Sequence, residues 1–351
     1  MKITKIICQV LRVESVTEKT ASCQDVALVR IVSDTGLEGI GEADASPEVV
    51  QAVIDAPFSH NIACGLRELL VGQDPLAIRR NWNRMYRGSM YFGRTSVTVA
   101  AMAAVDMALW DLAGKHYDAP IHQLLGGKQH DEIRAYASIL FGADGNETAD
   151  IGRRWVEAGY TAVKFDLDVP NPWKLDKYDR SISRRQHRHI IDTIEGLRDA
   201  IGPDVDLSID LHGSFNMADG LRICKDVEHL DLLWLEDPVR WEWGNVDALA
   251  KICQQTETPI CTGEIFYGAK MFRELMEKQA CDLLEPDVPH SGGAIEIRRI
   301  AELAEMYHMS IAPHYMRSAV TGIAAVHILS LIHISAPTRP RLISYAVFCL
   351  K

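Results

Sequence analysis

No CxxC pair occurs among the eight cysteines, which are scattered at positions 8, 23, 64, 224, 253, 261, 281 and 349. Thiols spaced in this way argue against a disulfide framework or a cysteine zinc site, and they fit a reducing compartment. Positive charge is also in short supply, with 37 Lys and Arg against 48 Asp and Glu, a formal net charge of -11. Such a surface repels nucleic acid and anionic membranes, so neither is expected as a partner. An anionic small molecule stays admissible, because a bound divalent cation reverses the local field. No GxGxxG or P-loop follows any apolar run, which weakens nucleotide-binding readings. No apolar stretch is expected to span a membrane ahead of the tail, and "MKITKIICQVLRVES" turns polar too soon for a signal peptide, so the expected location is the cytoplasm.

Two rhythms fill the rest. The chain alternates apolar and polar residues from 2 to about 45, with an "SDTG" turn between apolar runs, the pattern of an antiparallel meander. Helical spacing follows in "SVTVAAMAAVDMALWDLAGKHY", residues 96 to 117, with Ser96 as the expected N-cap. Residues 1–125 therefore read as an N-terminal α+β domain. After "LLGGK", seven short apolar runs alternate with amphipathic helices: "IRAYASI", "TAVKFDL", "VDLSIDL", "LLWLEDP", "TPICTGE", "ACDLLEPD" and "MSIAP". Repeated βα units imply a parallel sheet, and seven in succession favour a (β/α) barrel over residues 126–330, with an open doubly wound sheet as the alternative.

In a barrel, chemistry collects where strands end. The third, fourth and fifth runs end in Asp210, Glu236 and Glu264, separated by 26 and 28 residues, one βα unit each. Three carboxylates converging on one point repel one another unless a cation joins them, and oxygen-only ligands select magnesium or manganese over zinc. The sixth run ends in Asp287 and the seventh in His314, an acid that can orient an imidazole and raise its basicity. Lys164 and Asp166 share a face of the second run. If "LSIDLHG" is extended through its end, His212 shares a side with Asp210 and is poised for proton transfer beside the cation.

These residues resemble the enolase superfamily, in its mandelate racemase and galactonate-dehydratase-like sugar-acid dehydratase branch. The likeness covers about residues 1 to 330 and rests on "AAVDMALWDLAGKHYDAPIHQLLGG", "SIDLHG", "LEDP", "TGE", "EPDVPHSGGAIEIRRIAELAE" and "IAPH". It implies a capping role for the N-terminal domain, with Asp210, Glu236 and Glu264 as ligands of one Mg2+, or Mn2+ in its place. It implies His314, oriented by Asp287, as the base that removes the proton α to a substrate carboxylate, and His212 as the acid that protonates the departing 3-hydroxyl. Lys164 and Asp166 are then candidates for contacting the substrate carboxylate and hydroxyls. The expected activity is a hydro-lyase acting on an aldonate or aldarate to give a 2-keto-3-deoxy sugar acid, and the expected assembly is a homo-oligomer.

The second run carries Lys164-x-Asp166 where racemases of this group resemble a KxK pattern, and Asp287 stands where cycloisomerases and dipeptide epimerases carry lysine. Both departures favour a dehydratase, with a racemase or epimerase of a 2-hydroxy acid as the alternative. His290 reads equally as a pocket residue or a surface-loop histidine, and Tyr315 replaces an asparagine common in relatives. Substrate choice is expected to depend on cap loops around 14 to 24 and 42 to 60. From Met306 to Lys351 there is no Asp or Glu, and residues 331–351 read as an atypical, non-native tail in place of the eighth strand. On that reading the barrel is truncated, and a non-catalytic remnant is a further alternative.

Overall fold

The computed structural model describes residues 1–15, 24–167, 181–240 and 245–332. The alternating N-terminal segment forms β1 (Ile3–Arg12), β2 (Asp25–Ser33) and β3 (Glu38–Ala43), an antiparallel sheet in the order β1-β2-β3. Every second residue of β2 faces the core, with Ala27, Val29 and Ile31 fully buried. The SDTG turn joins β2 to β3, and Gly36 takes the φ of 84° that it requires. Four helices complete this domain: α1 (Pro47–Asp55), α2 (Leu66–Leu70), α3 (Ile78–Gly88) and α4 (Val97–Tyr117). Gly39 and Gly41 let β3 lie directly on α4, since a Cβ at either would stand 2.0 Å from the carbonyl oxygen of Ala108 or Ala104.

Two expectations need correction at α4. Ser96 does precede the helix, but at a φ of 59° its side chain makes no capping hydrogen bond. It engages the Tyr267 side chain instead. The helix is also long and apolar enough to cross a membrane by length and composition, contrary to the sequence expectation. It reads this way because it is the core helix of its domain, with 78% of its most apolar window buried.

After α5 (Ile121–Leu124), each apolar run becomes a parallel strand followed by helix. The first units are β4 (Ala137–Leu140) and α6 (Gly145–Glu157), β5 (Ala162–Asp166) and α7 (Arg184–Ile201), then β6 (Asp206–Asp210) and α8 (Met217–Asp226). They continue with β7 (Trp234–Glu236) and α9 (Val246–Cys253), then β8 (Ile260–Thr262) and α10 (Gly268–Glu277). The last are β9 (Leu283–Leu284) with α11 (Val288–Ser291) and α12 (Ala294–Met306), and β10 (Ser310–Ile311) with α13 (Ala319–Leu329). The strands lie in sequence order, β10-β9-β8-β7-β6-β5-β4, forming a (β/α) barrel sheet of seven strands among the described residues. Val163, Phe165, Leu207, Ile209 and Leu235 point out into the core shared with the helices. The alternate residues Trp234, Cys261 and Leu283 form a small separate cluster with Tyr136 on the inner side. The tail expected at 331–351 falls outside the described residues from 333 onward. Leu331 and Ile332 are held in place, their carbonyls accepting from Gln129 Nε2 at 3.1 Å and His130 Nε2 at 2.9 Å.

The N-terminal domain grips the barrel through side chains of β3, α3 and α4. Glu42, at the end of β3, is fully buried and accepts from Ser318 Oγ at 2.6 Å and Thr321 Oγ1 at 2.7 Å, fixing the start of α13. Asp106 of α4 accepts the Ile295 N–H at 3.2 Å, in the first turn of α12. Trp82 Nε1 meanwhile donates to the Gly292 carbonyl at 3.1 Å. Burial pushes the Asp106 carboxyl up from the ordinary 3.8 to about 8. Between these values the unfolded carboxyl has released its proton while the folded one keeps it, so stability falls as pH rises toward 8. The thermal midpoint of the unsubstituted protein should therefore decline between pH 5 and pH 8, and Asp106→Asn should flatten that decline. Parallel profiles for the two proteins would contradict the assignment.

Candidate active site

The register of the parallel sheet brings the strand-end acids level, with Asp166 paired to Asp210 and Asp210 to Glu236. Lys164, one period earlier on β5, reaches up between them. Its ammonium lies 2.8 Å from Asp210 Oδ2, 2.7 Å from Glu236 Oε1 and 4.0 Å from Glu285 Oε1. All four side chains are buried. Burial opposes the ammonium, yet Asp210, Glu236 and Glu285 outweigh it and hold Lys164 well above its usual pKa. Burial works against Asp210 too, but His212 and then Lys164 hold it below the usual carboxylate range. Glu236 is pushed well up, first by burial and then by the neighbouring Asp210 and Glu285 charges.

Glu264 lies two residues past β8 and turns toward His314, its Oε2 3.0 Å from Nε2. On the far side of that ring, His314 Nδ1 meets Asp287 Oδ2 at 2.6 Å. Burial opposes the imidazolium, but Glu264 and Asp287 together hold His314 well above its ordinary pKa. His212 reaches Asp210 by a route other than the one the sequence suggested. The strand ends at Asp210, and His212 adopts a left-handed φ of 45°. A turn rather than strand alternation brings the two together. The His212 N–H donates to Asp210 Oδ1 at 2.8 Å, and its Nε2 stands 3.4 Å from Asp210 Oδ2.

Lys164, Asp166, Asp210, His212, Glu264 and His314 line one cavity of about 220 Å³. The capping domain contributes Asp44, which pairs with Arg317 just past His314. Tyr315 also lines it, with its hydroxyl donated to the Ser318 carbonyl at 3.0 Å. A wider cleft of about 1010 Å³ runs over α2 and α3 and is lined by Arg79, Arg80, Arg84 and Arg87, without an acid–base pair of this kind. We assign the chemistry to the smaller cavity for that reason.

Several residues escaped the sequence reading. Glu285 is fully buried and contacts Lys164, with Cys261 Sγ 3.5 Å from its Oε2. Its signal was its place one residue past the sixth apolar run, in "LLEPD", where Asp287 drew the attention. Arg317 and Asp44 carry no periodic signal, because each is brought to the cavity by the contact between domains.

The donor set suits a hard divalent cation. Among the described residues, two groups have ligand atoms within 4.8 Å of one another, Asp166 with Asp210 and His212, and Glu236 with Cys261 and Glu285. Neither is the expected trio, because Glu264 is engaged with His314. The excess of buried carboxylate over ammonium at Asp210, Glu236 and Glu285 is the physical argument for a cation here.

Comparison with known proteins follows the same lines. Residues 147–344 match the family described as enolase C-terminal domain-like, and residues 3–126 match the mandelate racemase / muconate lactonizing enzyme N-terminal domain. The chain is 35% identical over 309 residues to a D-xylonate dehydratase of Haloferax volcanii, covering 87% of this chain and 72% of that one. It is 32% identical over 313 residues to a D-galactonate dehydratase family member of Halomonas elongata, covering 84% and 75%. The crystal structure of the 3,6-anhydro-D-galactonate cycloisomerase of Zobellia galactanivorans superposes with a TM-score of 0.82 at 27% identity, covering 95% and 86%.

Removing the ammonium tests the charge balance. Lys164→Met leaves buried carboxylates without their partner, so without divalent cations it should cost roughly 3–5 kcal/mol of stability, read from denaturant unfolding. Magnesium should return part of that loss, since a cation bound only by the folded state stabilises it. An unchanged midpoint, indifferent to magnesium, would contradict the account.

Proposed function

Because the chain belongs to the enolase superfamily, in its mandelate racemase and galactonate-dehydratase-like branch, we propose that it is a magnesium-dependent dehydratase of an aldonate or aldarate. One observation carries the reading: the His314–Asp287 pair and His212 flank a single cavity on either side of buried carboxylates. Relatives named as a D-xylonate dehydratase and a D-galactonate dehydratase family member, at 35% and 32% identity over most of the chain, support the substrate class.

Asp210, Glu236 and Glu264 would hold the magnesium ion, which supplies positive charge to stabilise the enediolate formed when the α proton leaves. His314 Nε2 takes that proton from C2. In the structure this nitrogen pairs with Glu264 at 3.0 Å, so Glu264 must leave it before His314 can act as the base. Asp287 stays on Nδ1 throughout and fixes the ring. His212 gives its proton to the C3 hydroxyl, the C3–O bond breaks, and water departs. The resulting enol tautomerises to a 2-keto-3-deoxy sugar acid. Lys164 and Asp166, which line the cavity, contact the substrate carboxylate and hydroxyls. Lys164 also keeps Asp210 and Glu236 aligned.

Proton NMR in deuterium oxide, with magnesium and a panel of aldonic and aldaric acids, tests the reading. The expected result is a 2-keto-3-deoxy product from at least one acid. Glu236→Gln should abolish turnover, and His212→Asn should stop dehydration while C2 still exchanges through His314. Exchange at C2 without product in the unsubstituted enzyme would instead identify a racemase or epimerase.

A further inference from the structure

We propose that His290 determines substrate specificity by accepting, at Nε2, a hydrogen bond from a hydroxyl of the sugar-acid chain. The inference rests on the dehydratase reading and extends it to a residue outside the acid–base pair.

His290 is the third residue past Asp287, and that one carboxylate organises both histidines. Asp287 Oδ2 holds His314 Nδ1 at 2.6 Å, while Oδ1 accepts the His290 backbone N–H at 3.1 Å. The His290 ring packs against Tyr267, with centroids 4.3 Å apart and planes inclined by 32°. It also hydrogen-bonds the Ile265 backbone. Among the described residues Nε2 is buried and has no hydrogen-bond partner, which leaves Nδ1 to the Ile265 backbone. A ring nitrogen bonded to a backbone carbonyl must donate its proton. In the neutral ring the lone pair is then left on Nε2. Burial favours that neutral form.

A buried acceptor without a partner is costly, and native sites keep one where a ligand completes it. The ring lines the same cavity as Lys164, His212 and His314. An acceptor there suits a hydroxyl donor and repels a carboxylate, whose oxygens also carry lone pairs. Sugar acids differ from one another chiefly in their hydroxyl groups, so a fixed acceptor beside the reacting centre discriminates among them. The structure thus assigns His290 to substrate choice, with Asp287 coupling its position to that of the base.

Two substitutions separate this role from support of the fold. His290→Asn keeps an amide where Nδ1 stands and removes the acceptor, whereas His290→Gln places an amide near Nε2. For the acid that the unsubstituted enzyme dehydrates, His290→Asn should raise KM roughly 3- to 10-fold, the worth of one hydrogen bond. Its kcat should change little, and His290→Gln should recover most of the loss. Among deoxy analogues of that acid, the one lacking the recognised hydroxyl should show the same KM with both enzymes. In the unsubstituted protein, nitrogen NMR should find His290 Nε2 unprotonated at neutral pH and shifted when the dehydration product binds. Equal KM values across all variants, or a protonated Nε2, would overturn the proposal. So would equal losses in both variants accompanied by a lower thermal midpoint, which would mark the ring as structural. If the unsubstituted enzyme dehydrates no acid of the panel, the dehydratase reading fails and this inference with it. Silent variants of an active enzyme sink the inference alone.

Discussion

The Lys164 ammonium, held between Asp210 and Glu236 with Glu285 close by, is the interaction on which the barrel mouth depends. Carboxylates taken out of water need a partner of opposite charge or must accept a proton. One ammonium among three buried acids leaves the balance incomplete, and Glu236 registers this by moving up toward its neutral form. The same imbalance that costs stability favours a divalent cation, which would complete the charge. Perturbed carboxyls that cluster in a cavity in this way commonly mark a functional site.

A second constraint is the contact between domains. Glu42 fixes Ser318 and Thr321, and Asp44 pairs with Arg317, so the segment immediately after His314 is positioned by the capping sheet as well as by the barrel. Asp106 holds the first turn of α12 and Trp82 the Gly292 carbonyl just ahead of it, next to the turn that carries Asp287 and His290. His314, Asp287 and His290 therefore sit on segments next to contacts made from the capping domain.

Legibility in the sequence followed the physics of each feature. The seven strands were readable because each is a short apolar run, most of them buried on both faces, and the helices between them carry the 3.6-residue period. Asp210, Glu236, Asp287 and His314 were readable as residues because they close those runs. Their partners were less so. Strand alternation predicted that His212 would face Asp210, whereas a left-handed turn brings it there. Lys164 was read as a substrate contact, and only the three-dimensional register shows its ammonium between two carboxylates. Glu285 was hidden beside Asp287, and Arg317 and Asp44 meet only because two domains touch. Ser96 marked the start of α4, but not the bond it would make.

The central claim is that the acids at the barrel mouth are arranged around a divalent cation. Anomalous diffraction from crystals soaked in manganese tests it directly. The account predicts one strong peak within bonding distance of oxygens from Asp210, Glu236 and Glu264, with Glu264 turned away from His314. A peak instead among Asp166, Asp210 and His212, or at Glu236, Cys261 and Glu285, would contradict the ligand assignment. No peak at any of these positions would contradict the claim itself.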